Sequence, residues 1–415
     1  MKYKSFGGTN RSYTIVSSPI ASGGEGEIYE IEENQEQVLK IFREEKRTWE
    51  KEKKLRTMIG YHLNKEQLKQ ITWPQDIVYD QSGFAGYIMP KLRSNKNLNM
   101  VYSGQIKNVD IRHRIVIAYN LCVAVEMVHN IGQICGDLNP LNISVNLDMN
   151  TEDALKVTLV DTDSYHIIDD NITYRCEVGM TNYIAPELQN KIQNGMDLKT
   201  ALLPTYTKET DLFALAVHIF SLLMNGCHPF SCAKDTTNCT LQEYSVDVPQ
   251  PIDNIREGFF PFHQQKQGIT YPLYALSFSS LPIEIQNMFL QAFEKGYIEP
   301  KKRPSTQEWM CVLKKYQTAL AFNICHKGHY FFAANSISCP FCETQNRFDQ
   351  AMKDNKEKEE DIQESQNLQE EEEEWWYEWN KPIREYAKLR RKRLLWMIYM
   401  IVVLLFWIIT FFYME

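Results

Sequence analysis

The chain has 415 residues, 44% hydrophobic and 24% charged, the composition of a folded protein with room for one large or two to three ordinary domains. Its net charge of −8 argues against a nucleic-acid partner, which needs a basic face. Of the 10 cysteines only three cluster, near the end of the foldable part, so a reducing compartment with one metal site is favoured over a disulfide framework.

The opening decapeptide, MKYKSFGGTN, contains no apolar run, and no cleavable signal peptide is expected. Residues 10–92 read as strand-rich with one helix. YTIVSSPI, EIYEIEE and EQVLKIF collect β-formers around glycine-rich punctuation, and DIVYD and GFAGYIMP flank an Asp80-Gln81-Ser82-Gly83 turn. Thr48 to Met58 is a charged, helix-forming stretch. Gly23, Gly24 and Gly26 lie between two strand-like segments, where a glycine-rich loop lets backbone N–H groups approach phosphates. A plain hairpin turn would use the same residues. Lys40 stands inside the apolar strand Val38-Leu39-Lys40-Ile41, where an ammonium needs a partner or an anion. Glu52 on the charged helix is the expected partner, with Glu50 its rival.

From about residue 110 to 318 the helical period dominates. Arg112 to His129 has the apolar spacing of a buried helix, and Leu212 to Met224 is more apolar still. Between them come Cys135-Gly136-Asp137-Leu138-Asn139-Pro140-Leu141-Asn142 and Asp161-Thr162-Asp163. An acid, an amide and a second acid at strand or loop ends suit a site that orients a hydroxyl and holds magnesium through oxygen. Gly179 to Glu187, Asp211 and Lys302-Arg303-Pro304 complete the series.

Cys325-x3-His329-x9-Cys339-Pro340-Phe341-Cys342 offers zinc four soft ligands in two pairs, and a closed four-ligand site is structural. His326 is the alternative to His329. An acidic, polar linker follows at 346–380, a solvated spacer or a charged helix, with Trp375, Trp376, Tyr377 and Trp379 at its end. Leu394 to Met414 then gives 21 residues without a charge, directly after Lys388, Arg390, Arg391, Lys392 and Arg393. About 20 apolar residues span a bilayer and a basic flank stays cytoplasmic, so a single-pass anchor is expected with the rest of the chain in the cytoplasm. Only Glu415 follows it, so the span reads as a tail anchor.

In this order and spacing the motifs resemble the eukaryotic-like protein kinase superfamily over residues of about 10 to 318. Within it the chain is similar to a bacterial, membrane-anchored group with a zinc-ribbon-like knob. The resemblance implies an α+β, two-lobed fold: a small lobe at 10–92, a large lobe at 93–318, a zinc-ribbon-like module at 320–345 and a transmembrane helix at 394–414. It implies ATP and Mg2+ as cofactors, a structural Zn2+, and protein substrates near the membrane. Gly23, Gly24 and Gly26 would cover the phosphates, and Ile28 and Val38 would line the nucleotide site. Lys40 would hold the α- and β-phosphates, fixed by Glu52. Met89 would be the gatekeeper, with Pro90 and Leu92 as the hinge. Asp137 would accept the substrate hydroxyl proton, and Asn142 and Asp161 would hold magnesium. Asp211 would brace the catalytic loop, and Glu187 and Arg303 would form a structural ion pair.

The pattern is broken at several points. Ala21 replaces the first loop glycine. Cys135-Gly136 stands where His-Arg is usual, which leaves no receptor for an activation-loop phosphate. Asn139 replaces a lysine, Met180 a threonine, and Thr162 and Asp163 replace phenylalanine and glycine in the metal motif. Two readings follow: an active serine/threonine kinase, or a nucleotide-binding pseudokinase that serves as a membrane-tethered scaffold.

Overall fold

The computed structural model describes residues 2–412 except 6–10, 17, 94, 95, 107, 171, 236–246 and 335–337, and omits the side chains of 355, 357–369, 371–373, 383 and 407–412. Residues 1–345 and 346–415 are two compact units, described separately.

The small lobe is built on β1 (Lys2–Ser5), β2 (Ser12–Thr14), β3 (Ala21–Ser22), β4 (Gly26–Ile31), β5 (Asn34–Phe42), β6 (Asp76–Asp80) and β7 (Gly83–Pro90). They form one antiparallel sheet in the order β2-β1-β6-β7-β5-β4-β3. The sheet extends beyond the expected start at residue 10. Strand β1 pairs with β2 and β6 and turns Tyr3 inward, but four residues carrying two lysines give no periodic signal. The registers Ile28↔Lys40↔Tyr87 and Val38↔Met89 set these side chains in two adjacent cross-strand rows on one face. Helix α1 (Trp49–Gly60) starts at Thr48, whose side chain accepts the Lys51 N–H.

The large lobe follows as α2 (Leu98–Tyr102), α3 (Ile111–Asn130), the hairpin β8 (Ile143–Val145) and β9 (Val157–Leu159), a second hairpin β10 (Ile167–Asp169) and β11 (Ile172–Tyr174), then α4 (Pro186–Gln193) and α5 (Lys208–Leu223). Reciprocal caps at Asp110/His113 and Thr207/Thr210 begin α3 and α5. Short strands β12 (Ala233–Lys234) and β13 (Ile269–Thr270) bracket α6 (Pro251–Glu257). Next, α7 (Ile283–Leu290) runs through a π-helical turn, Gln291–Lys295, into α8 (Gly296–Ile298), and α9 (Thr306–Lys315) packs back on α3. Almost every residue of α5 is buried; around Phe220 the rings of Phe262, Phe289 and Phe260 lie 4.8, 5.0 and 5.7 Å away. The Arg303 guanidinium grips Glu187 with two bonds of 2.7 Å, the expected large-lobe ion pair.

Hairpin β14 (Phe322–Ile324) and β15 (Tyr330–Phe332) belongs to this first unit. Arg112 at the start of α3 stacks 3.3 Å over the Tyr330 ring. Pro340–Phe412 is helical, α10, and the second unit is its part from residue 346 onward. Of the apolar run 394–414, side chains are described for 394–406 only. Among the described residues no helix is long and apolar enough to cross a membrane.

Three histidines make the large lobe acid-sensitive. Burial pushes the His218 ring on α5 down to about 3 and His228 down to about 4, and burial with the nearby Lys54 charge pushes His166 down to about 4. Unfolded, all three titrate near 6.5, so below that pH only the unfolded chain takes up these protons. Stability is therefore full above about pH 6.5 and falls as pH drops, by about 1.4 kcal/mol per pH unit for each ring. Urea midpoints measured at pH 7.5, 6.5 and 5.5 should fall only over the last interval, and His218→Gln, if it folds, should shallow that fall.

Candidate active site

The cleft between the sheet and the large lobe has a volume of about 950 Å³ and is lined by Ile28, Val38, Lys40, Met89, Pro90, Leu92, Asn142 and Asp161. The cross-strand rows explain the roof, because β alternation turns Ile28, Val38, Lys40 and Met89 to the same side. The lining reaches Ala21 and Ile28 but stops short of the loop glycines. Gly26 has a packing reason of its own: a Cβ there would meet the Ile41 carbonyl oxygen at 2.1 Å. Gly23 and Gly24 have open space around them.

The floor is set by Asp211, fully buried at the head of α5. Its Oδ2 accepts the Cys135 N–H at 2.8 Å and lies 2.9 Å from the His129 ring, and its Oδ1 accepts the Gly136 N–H at 2.9 Å. A charge removed from water needs this full set of partners. The bonds hold the loop that presents Asp137. Gly136 has φ +77°, and a side chain there would meet Cys176 at 2.8 Å, so the place of the usual arginine is filled by a thiol from the segment opposite.

Asp137 is oriented from three directions. Its Oδ1 accepts the Met180 N–H at 3.0 Å, and its Oδ2 accepts from the side-chain amides of Asn139 at 2.9 Å and Asn142 at 3.4 Å. Asn139, expected as a lost lysine, thus braces the aspartate. Met180, expected as a lost threonine, does the same through its backbone. Asn142 spends its amide N–H on Asp137, which leaves its carbonyl oxygen for the cleft. Asp161 sits in the left-handed region with φ 56° and ψ 39°, a strain of about 1 kcal/mol that points its half-exposed carboxylate at Lys40, 2.9 Å away.

The expected pairing of Lys40 with Glu52 is not present. Glu52 accepts from Arg56 and Tyr79, each at 2.5 Å, and Glu50 is exposed. The face of α1 turned inward carries Lys54, Leu55 and Met58, with Lys51 in line, and Glu52 lies about 100° around the helix from Lys51. Lys40 instead donates to Asp163 at 2.7 and 2.9 Å, as well as to Asp161. Burial would lower the Lys40 ammonium, but Asp163 and Asp161 beside it raise it. Burial would raise the Asp163 carboxyl, but Lys40 and Lys51 hold it well below the usual range. Asp161 moves the other way, raised by burial and by the Asp163 charge. Asp163 was readable in the sequence only as a departure. Its signal was an acid in the metal motif, next to a core, with no partner assigned.

Apart from the cleft, Cys325, His329, Cys339 and Cys342 bring one ligand atom each within 4.8 Å of one another. The Cys325 and Cys342 sulfurs are 3.9 Å apart, and His329 Nδ1 lies 3.7 and 3.5 Å from those of Cys339 and Cys342. His329, rather than His326, faces the thiols.

A lysine and two metal-type oxygens lining a cleft between a β lobe and a helical lobe, with an oriented aspartate bonded to one of them, define a protein kinase architecture. Residues 15–311 match the protein kinase domain family, and the chain belongs to it. It is similar to "Protein kinase YegI" of Escherichia coli (strain K12), 26% identical over 346 residues, covering 80% of this chain and 49% of that protein. The "Ovarian-specific serine/threonine-protein kinase Lok" of Drosophila melanogaster is 25% identical over 233 residues, covering 56% of this chain and 40% of that protein. The chain spans about half the length of the curated relatives it matches first.

Proposed function

We propose that this chain transfers the γ-phosphate of Mg-ATP to serine or threonine hydroxyls of proteins. The observation that carries the reading is that Lys40, Asn142 and Asp161 line one cleft, with Asp137 held beside it by a hydrogen bond from the Asn142 amide. Phosphoryl transfer asks mainly for positioning and charge neutralisation, and these residues supply both. Met89, Pro90 and Leu92 would hold the base. Lys40 would turn from Asp161 to the phosphates, freeing that carboxylate to hold magnesium with the Asn142 carbonyl oxygen. Asp137, both of its oxygens oriented, would align the hydroxyl and take its proton. Magnesium, when bound, supplies the positive charge that the phosphate oxygens require.

Incubated with magnesium and γ-labelled ATP, the purified chain should label itself or a generic protein substrate on serine or threonine. Asp161→Asn and Asp137→Asn should each reduce labelling at least about 100-fold. Measurable ATP binding with no transfer by the wild-type chain would favour the scaffold reading instead.

The same proposal includes a structural zinc at Cys325, His329, Cys339 and Cys342. Zn–S bonds of about 2.3 Å and a Zn–N bond of about 2.0 Å imply tetrahedral edges of about 3.8 Å between sulfurs and about 3.5 Å from sulfur to nitrogen. The separations of 3.9, 3.7 and 3.5 Å fit those edges. Elemental analysis should find one zinc per chain, lost in Cys339→Ser together with a lower melting temperature. A metal-free wild type of equal stability would exclude it.

It also includes a membrane anchor at 394–414. Along 394–406 the described apolar side chains are 38–68% exposed on a helix, after a basic flank, a surface better suited to lipid than to water. The chain should sediment with membranes after carbonate washing, and a chain ending at residue 393 should be soluble. Wild-type chain released by carbonate would remove the anchor from the reading.

A further inference from the structure

Protein kinase sites of this type fix the nucleotide-binding lysine with a glutamate on the helix of the small lobe, and here that helix offers none. The two acids that α1 could supply, Glu52 and Glu50, are engaged by Arg56 and Tyr79 or left exposed. Its inward face is cationic instead: Lys51 reaches to 2.7 Å from Glu25 and 4.0 Å from Asp163 Oδ2, and Lys54 is buried behind it. The carboxylate comes from below. Asp163 is 2% exposed, and it accepts from Lys40 with both oxygens and from the Tyr87 hydroxyl at 2.8 Å.

We infer that Asp163 is the positioning residue for Lys40, taking the place of the helix glutamate, and that Lys51 ties α1 to the same carboxylate, so that the polarity of the helix toward the active centre is reversed.

The physical case rests on what each group would do without the other. Lys40 has three N–H donors and here touches two acids of opposite use. Asp161 is partly open to the cleft and is needed for metal; Asp163 is closed off and can bind nothing else. With Asp163 in place, Lys40 keeps its position when its bond to Asp161 is exchanged for a phosphate. Among the described residues, Asp161 is the acid that would remain in contact with Lys40 without Asp163, and the ammonium would compete with magnesium for it. The register supports the same role: Lys40 and Tyr87 are cross-strand partners on one face, so both reach the one carboxylate from above. A buried carboxylate flanked by one ammonium, a second at 4.0 Å and a hydroxyl is held by geometry that a helix glutamate would duplicate, and adding such a glutamate would place a third acid in the same space.

This inference rests on the kinase reading above, in which Lys40 serves phosphate and Asp161 serves magnesium. It is tested on the full chain in detergent by measuring Mg-ATP affinity with a fluorescent ATP analogue, kcat, KM for ATP, and the magnesium concentration for half-maximal transfer. Asp163→Asn should weaken Mg-ATP about tenfold or more and raise the magnesium requirement, because Lys40 then leans on Asp161 for its charge partner. Tyr87→Phe, a milder change that keeps the fold safe, should shift both in the same direction by less. Lys51→Glu alone should be as damaging as Asp163→Asn, and the double variant Asp163→Gly with Lys51→Glu should recover much of the loss by returning the carboxylate to the helix. Folded Asp163→Asn with wild-type affinity and magnesium requirement would overturn the inference. So would a folded double variant no better than Lys51→Glu. A wild-type chain that neither binds nor transfers phosphate would remove the kinase reading and this one with it, whereas an active wild type with neutral variants would remove this one alone.

Discussion

Asp211 is a charge kept wholly from water at the head of the most buried helix, and the catalytic loop exists in its present shape because that charge must be satisfied. Two backbone N–H groups and a histidine ring answer it. An unpaired carboxylate at that depth would cost several kcal/mol, so the loop is not free to relax. Every later element of the site inherits this rigidity. Asp137 lies two residues downstream of Cys135, one of its anchors, and is further oriented by Asn139, Asn142 and the Met180 N–H. Pairing of β8 with β9 then carries the chain to Asp161, whose left-handed backbone turns the carboxylate into the cleft.

Above this floor, the sheet contributes through register rather than through charge. Antiparallel pairing of β4, β5 and β7 aligns Ile28, Lys40 and Tyr87 in one row and Val38 and Met89 in the next. The apolar members make a roof for a flat ring system, and the ammonium hangs at its edge. Cleft and floor meet where Lys40 touches the metal motif, which is also the place where the chain departs furthest from the family's usual residues.

Much of this was legible beforehand, and the failures have definite causes. Lys40, Asp137, Asn142 and Asp161 stood out because polar groups in apolar or turn contexts are conspicuous and their order along the chain is informative. The partner of Lys40 was misassigned because Glu52 is adjacent to Lys51, and one residue on a helix is about 100° of direction. The stripe of Lys51, Lys54, Leu55 and Met58, not the glutamates, shows which face of the helix turns inward. Asp163 was counted as a loss because it replaces glycine, although a buried acid always needs explaining. Asn139 was likewise counted by the charge it lacks rather than by the hydrogen bond its amide makes. Strand β1 was invisible because it is four residues long, mostly polar, and joined to the rest of the sheet through the distant β6. The Cys/His cluster was legible from spacing alone, while the choice between His326 and His329 was not, since ring direction depends on the turn at Gly328.

The contact between Gly136 and Cys176 has a consequence for how the loop responds to its surroundings. Where a guanidinium would hold two segments together through a charged third group, a backbone without a side chain is closed by a thiol packed against it. Contacts of that kind are indifferent to dissolved ions, which weaken exposed charge pairs over a Debye length of about 8 Å at physiological ionic strength but leave close-packed sulfur and carbon untouched. The loop that carries Asp137 is therefore held by shape and by the shielded carboxylate beneath it, neither of which is an exposed charge pair.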